Sequence, residues 1–155
     1  MAQTFVAETA DRSHVVHIPL PLERAMRLFE PEGEKQWAKE WSPNYLAPSD
    51  GTTTEGMVFT TRHGGHETIW LMSRDRRANG KVEYIRTTPG HWLATVYVDA
   101  KDGGDGTTHV AVRYRYTALS EEGNAYVRAM DDNRFAATIG EWEAAIRAAL
   151  ARPGE

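Results

Sequence analysis

Residues Arg62–Glu67 read RHGGHE and bring two imidazoles and a carboxylate into one short stretch, a donor set that zinc could use. Zinc ligands also need a fixed spacing on a rigid element. The His-Glu-x-x-His order that achieves this on a helix is replaced here by His-Gly-Gly-His-Glu. Two adjacent glycines between polar flanks read as a hairpin turn, so no metal is expected. The DGGDG run at Asp102–Gly106 lacks the remaining oxygen ligands of a calcium loop and also reads as a turn. His14, His17, His91 and His109 stand without serine or aspartate partners at motif spacing, and no Gly-x-Ser-x-Gly elbow is present. No glycine loop followed by Lys-Ser/Thr offers a phosphate cradle. The chain has no cysteine, which removes disulfides, thiolate zinc sites and cysteine nucleophiles.

The remaining polar candidates sit on strand-like segments. In THVAVRYRYTAL, Val110, Val112, Tyr114 and Tyr116 share one face, and His109, Ala111, Arg113 and Arg115 share the other. A tyrosine turned inward must find a partner or water for its hydroxyl, and core packing with satisfied tips is the simpler reading. Tyr84 and Arg86 share one face of KVEYIRTT. Arg86 is read as solvated or, if inward, as a buried cation seeking a carboxylate or an anionic ligand. Trp70 and Trp92 are read as core, although their strands are apolar on both faces and give no orientation. Trp37 and Trp41, set among glutamates and lysines, are expected on one face of a short helix while Lys35, Lys39 and Glu40 stay wet.

The elements that must hold these residues follow from the hydrophobic period. Thr4–His17 reads as a strand. Pro21 suits the first turn of a helix in which Leu22, Met26 and Phe29 recur at helical spacing, and a second short helix is expected over Glu34–Trp41, ended by Ser42-Pro43. From Tyr45 to Thr117 the period becomes two, and RHGGH, RRANGK, TTPGH and KDGGDGT supply the turns of antiparallel hairpins. Ser120 can cap a last long helix, with Glu121 and Glu122 in its first turn and an apolar stripe of Phe135, Ile139, Trp142, Ile146 and Leu150. Gly140 costs that helix roughly 1 kcal/mol against alanine and is read as permitting close approach to the sheet.

A chain of 155 residues, 41% hydrophobic and 26% charged, can bury a core of ordinary size. Its net charge of −4 and the absence of a concentrated basic face argue against nucleic acid as a partner. The first residues show neither a basic nor an apolar signal region, and no apolar run reaches the ~18 residues of a spanning helix. A cytoplasmic location, without integral membrane association, is the expectation.

The order of strand, two short helices, hairpins and amphipathic helix resembles the helix-grip fold of the START/Bet v 1-like superfamily (SRPBCC, polyketide cyclase/dehydrase-like). FEPEGEKQWAKEWSPNYL, GMVFTT, ETIWLMSRD, VEYIRTTPG and VAVRYRYTALSEEGN carry the likeness. It implies an α+β domain over residues 1–155, with about seven curved antiparallel strands wrapped on the C-terminal helix. It also implies a cavity between sheet and helix that takes a lipid, polyketide or aromatic molecule, closed at one end by the short helices. Trp37, Trp41, Phe59, Trp70, Tyr84, Arg86, Tyr114, Tyr116, Phe135 and Ile139 are the expected lining, and no cofactor is expected. Two rival readings stay open: a polyketide cyclase, aromatase or dehydratase using Tyr84, Arg86, Tyr114 and Tyr116, and an interaction module like the Hsp90-activator relatives. A homodimer is also left open.

Overall fold

Strictly alternating side chains leave one face apolar and one wet only when the backbone is extended, and that pattern governs the middle of this chain. The computed structural model describes residues 4–152. Its strands are β1 (Thr9–Ile18), β2 (Asn44–Ala47), β3 (Val58–His63), β4 (His66–Arg76), β5 (Lys81–Thr88), β6 (Trp92–Asp102) and β7 (Thr108–Ala118). They pair antiparallel in one sheet of order β1-β7-β6-β5-β4-β3-β2, so the first strand closes against the last. Helices α1 (Leu22–Arg27) and α2 (Pro31–Glu34) follow β1, while α3 (Glu121–Ala129) and α4 (Asp132–Leu150) follow β7. This is the expected helix-grip architecture of a seven-stranded curved sheet on a C-terminal helix.

Register decides which side chains meet. One cross-strand row runs Phe59, Trp70, Arg86, Ala94 and Tyr116 from β3 to β7. The next runs Met72, Tyr84, Val96 and Tyr114 from β4 to β7. Both rows face the helix side with Val110 and Val112, and Arg113 and Arg115 point to solvent as their alternation requires. Trp70 and Trp92, which the sequence leaves unoriented, both turn inward and are buried. Phe135, Ile139 and Ile146 form the buried side of α4, with Trp142 and Leu150 packed at its margin. The α4 backbone runs closest to β1. Roofing of the β3–β5 side therefore falls to the segment between α2 and β2.

Several boundaries differ from the sequence reading. β1 begins at Thr9 instead of Thr4, because Asn124 on α3 intercepts the chain before it. Its side chain accepts from the Glu8 N–H at 2.7 Å and donates to the Val6 carbonyl at 3.0 Å. Pro21 is the extended residue preceding α1, not a member of its first turn. The helix expected over Glu34–Trp41 is displaced: α2 starts at Pro31, ends at Glu34 and unwinds through overlapping turns to Ala38. Glu40 then takes the left-handed conformation at φ 57°, which no continuing helix allows. Trp37 and Trp41 consequently do not share a face of a regular helix. The single C-terminal helix is two. Ser120 caps α3 as expected, through a 3.0 Å bond from the Gly123 N–H, but Met130 leaves the helix with ψ 71° and Asp131 caps α4 by accepting from the Arg134 N–H at 2.8 Å. Arg12 Nε donates to the freed Met130 carbonyl at 2.9 Å, which fixes the break against β1.

Gly140 does not mediate a close approach, because a Cβ built there would meet no atom within 4 Å. Its entropy cost is then uncompensated. Gly140→Ala should raise unfolding free energy by about 1 kcal/mol, read from the midpoint of a urea titration.

Candidate functional site

The junction between α1 and α2 is where the chain first commits the site. Gly33 lies so close to the end of α1 that a Cβ there would fall 1.7 Å from the Arg27 carbonyl oxygen, so only glycine fits. Helix ends leave carbonyls without internal partners, and three aromatic side chains take the carbonyls of this junction. Trp37 Nε1 donates to Leu28 O at 2.8 Å, Tyr84 OH to Phe29 O at 2.9 Å and Trp41 Nε1 to Pro31 O at 2.8 Å. Arg77 clamps the same junction from below. It pairs with Glu30, meets Asp75 at 2.9 Å and donates to the Thr53 carbonyl at 3.2 Å. Arg77 and Asp75 thus act as a structural tie.

Between this lid, the sheet and α4 lies a cavity of about 340 Å³, within the range of about 300–1,000 Å³ common for small-molecule sites. Phe29, Trp37 and Trp41 line it from the lid, Phe59 and Trp70 from β3 and β4, Tyr84 and Arg86 from β5, Val96, Val98 and Tyr114 from β6 and β7, and Trp142 from α4. The rings brace one another. Phe59 and Trp70 stack at 5.6 Å, Trp41 stands edge-on to Trp70 at 5.5 Å, and Trp37 meets Trp142 at 5.7 Å. Such aromatic pairs contribute roughly 0.5–1.5 kcal/mol each beyond area burial. Lys39, Glu40, Arg62 and His63 ring the mouth, with His63 Nδ1 at 3.8 Å from the Glu40 carboxylate.

Arg86 is the polar centre of this wall. Its position opposite Ala94 in the cross-strand row leaves room for the guanidinium, which lies 4.4 Å from the Trp70 ring centroid and 4.7 Å from that of Trp92. Arg86 Nε is buried without a hydrogen-bond partner. The solvated reading of Arg86 is therefore overturned. The strand's alternation, anchored by buried Val82 and Tyr84, obliges Arg86 to turn inward.

Glu34, the last residue of α2, completes the polar set. Loss of water raises its carboxyl pKa well above the usual range, against the smaller opposing pull of Arg86. Burial likewise pushes up the phenols of Tyr84, Tyr114 and Tyr116, and Tyr45 is raised to about 12. The arrangement can present a neutral carboxyl, a fixed cation and neutral phenols to one molecule. That set can donate hydrogen bonds, hold an anion or exchange a proton.

Of the ten residues singled out from the sequence, seven converge on the cavity: Trp37, Trp41, Phe59, Trp70, Tyr84, Arg86 and Tyr114. Tyr116 packs instead against Trp92 at 5.3 Å, and Phe135 lies behind Tyr114 at 5.5 Å, with Ile139 in the core beyond the lining. Glu34 carries no expectation as lining, whereas Trp142 belongs to the α4 stripe and is its one member that reaches the cavity. Spacing held a signal for Glu34, since it precedes Trp37 by one helical turn and so winds toward the same side. The RHGGHE string forms the predicted turn, with Gly64 and Gly65 at φ 58° and 84° between paired His63 and His66. Among the described residues no cluster of three potential metal ligands occurs, and no helix is long and apolar enough to cross a membrane.

No family model matches the chain, and no curated protein is similar to it in sequence. Solved structures do share its fold. Norcoclaurine synthase from Thalictrum flavum superposes with a TM-score of 0.65 at 8% identity, covering 94% of this chain and 89% of that one. The Zhui aromatase/cyclase from Streptomyces sp. R1128 gives 0.63 at 11%, covering 95% and 99%. Ara h 8.0201 gives 0.62 at 14%, covering 95% and 100%. The fold is thus that of Bet v 1-like proteins.

A carboxyl whose pKa is higher folded than unfolded holds its proton more tightly in the native state. Its effect on stability is therefore lost as pH rises from the unfolded value near 4.5 through the raised folded value. Glu34→Gln should remove that decline. The difference in urea midpoint, variant minus wild type, should grow as pH rises through this window and level off above it.

Proposed function

We propose that this protein binds a small, largely apolar molecule with aromatic character in the cavity between the sheet and α4. The observation that carries this reading is the cavity itself, walled by Phe29, Trp37, Trp41, Phe59, Trp70 and Trp142, with Glu34, Arg86, Tyr84, Tyr114, Thr61 and Thr68 as its inner polar groups and four charged or titratable side chains at its mouth. A lipophilic ring system can replace water against such a wall, and burial of apolar area contributes roughly 25 cal/mol per Å² toward association before ordering costs are met. An interior filled by side chains with an apolar groove outside would have favoured an interaction module. The space between lid, sheet and α4 supports the binding reading instead. That two structural neighbours are a norcoclaurine synthase and an aromatase/cyclase adds support for an enclosed small-molecule site.

Trp41 and Trp37 are expected to play different parts. Trp41 is half-buried and stands against Phe59 and Trp70, whereas Trp37 is buried and tied to the end of α1. A neutral fluorophore such as N-phenylnaphthylamine should bind with micromolar affinity and quench tryptophan emission. Trp41→Ala should weaken this about tenfold or more while the protein remains folded. Trp37→Ala should cost roughly 3–5 kcal/mol of stability, read by urea unfolding. Failure of neutral aromatic probes to bind the folded wild type at high micromolar concentration would overturn the proposal.

A further inference from the structure

Arg86 presents a cation to the cavity from β5, and Glu34 presents a carboxyl from the lid. Arg86 joins none of the ion pairs among the described residues, and its Nε has no hydrogen-bond partner. The guanidinium of half-buried Arg86 lies over two indole rings, and because its Nε is itself buried, its terminal N–H groups are the ones left to meet a ligand. These groups form a fork that matches a carboxylate.

Resting on the binding function proposed above, we propose that the cavity selects a monoanion, an aromatic or aliphatic acid whose carboxylate is received by Arg86, and that Glu34 holds a proton while the acid is bound. The charge balance supplies the reason. With Glu34 protonated the inner cavity carries one positive charge, which an anionic ligand neutralises. With Glu34 ionised the inner cavity is already neutral, and a second carboxylate would meet a like charge in a water-poor space. Burial, which disfavours the ionised carboxyl, keeps the first state populated at higher pH than for an exposed glutamate. Binding of the acid then favours the protonated form further, so affinity and protonation are linked.

The groups facing Glu34 do not compete for this role. Tyr84 and Arg86 approach from β5, Tyr114 from β7 and Tyr45 from β2, and Trp142 on α4 carries no charge. Burial keeps all three phenols neutral across the range concerned. Glu32 and Lys35 pair with each other beside Glu34, and Lys39, Glu40, Arg62 and His63 stand at the mouth. Imidazole is the one side-chain type at the mouth that changes charge near neutral pH, so His63→Ala is the necessary control.

The test compares naphthylacetate, ionised throughout, with its neutral methyl ester by calorimetric titration of the whole chain from about pH 6 upward, across the range in which the protein stays folded. Naphthylacetate should bind about tenfold tighter than the ester at the lower pH, and as Glu34 ionises in the free protein at higher pH, proton uptake should appear as a dependence of the binding heat on the buffer's ionisation enthalpy. Its advantage should fall as pH rises while ester affinity holds. Glu34→Gln should keep the acid's advantage at every pH, and Arg86→Met should collapse the acid-to-ester ratio to about one. His63→Ala should leave the pH dependence in place. Equal binding of acid and ester by wild type would overturn the inference while leaving the proposed function standing. So would a pH dependence that survives Glu34→Gln and vanishes in His63→Ala. Binding of neither probe would sink both.

Discussion

A guanidinium lying between two indoles with no carboxylate beside it sets the terms for everything around the cavity. Cation–π contact with Trp70 and Trp92 offsets part of the cost of drawing Arg86 from water, but leaves its buried Nε without a hydrogen-bond partner. The Trp70–Arg86–Ala94 register must hold to keep that sandwich, because a slip of one residue would send Arg86 to the solvent face and Ile85 to the cavity. Ala94 matters by being small. A larger residue in that row would fill the place where the guanidinium lies.

The lid is bound to the same register through hydrogen bonds that the sheet and lid share. Tyr84, two residues before Arg86, reaches across to the Phe29 carbonyl, and the two lid tryptophans close back onto Leu28 and Pro31. Each bond satisfies a carbonyl that a short helix cannot satisfy internally. The large apolar side chains in a charged stretch thus have two tasks: their N–H groups finish the helix ends and their rings wall the cavity. Glu34 is placed by this geometry. With Pro31 fixing the start of α2 and Gly33 pressed against Arg27, the fourth residue of the helix has little freedom but to face inward.

The strands were legible because alternation is a local property that survives tertiary context. Val110, Val112, Tyr114 and Tyr116 declare their face without reference to anything else in the chain. The helical segments were less so. Nothing in the apolar stripe of residues 120–150 distinguishes one helix from two, and the break at Met130 depends on Asp131 as a cap and on Arg12, more than a hundred residues earlier, as a partner for the freed carbonyl. The lid failed for a related reason. Trp37 and Trp41 have helical spacing, yet tertiary hydrogen bonds from their indoles to the α1–α2 junction override propensity and unwind the chain between them. For the site, the sequence named the aromatic wall and left Arg86 undecided, because a lone arginine in an alternating strand carries no mark of the room that Ala94 provides. Glu34 was hidden among Glu30, Glu32 and Glu40, and only the fold separates the carboxyl that loses its water from its neighbours.

Sites where local rules are broken are where a protein gives up stability for something else. A core of this size gains nothing in stability from a desolvated carboxyl and a half-buried guanidinium that do not form an ion pair. Apolar residues of similar volume would fill the space at lower cost. The two groups also stand apart from the ion pairs made elsewhere, such as Arg113 with Asp11 and Arg77 with Asp75, where geometry is close and bonds are made. What distinguishes Arg86 and Glu34 is that both line a cavity with an open mouth and do not pair with each other there. A folded chain that keeps such groups unsatisfied leaves part of its own hydrogen bonding to be completed by whatever enters. That incompleteness, more than the aromatic wall, is what makes the cavity selective.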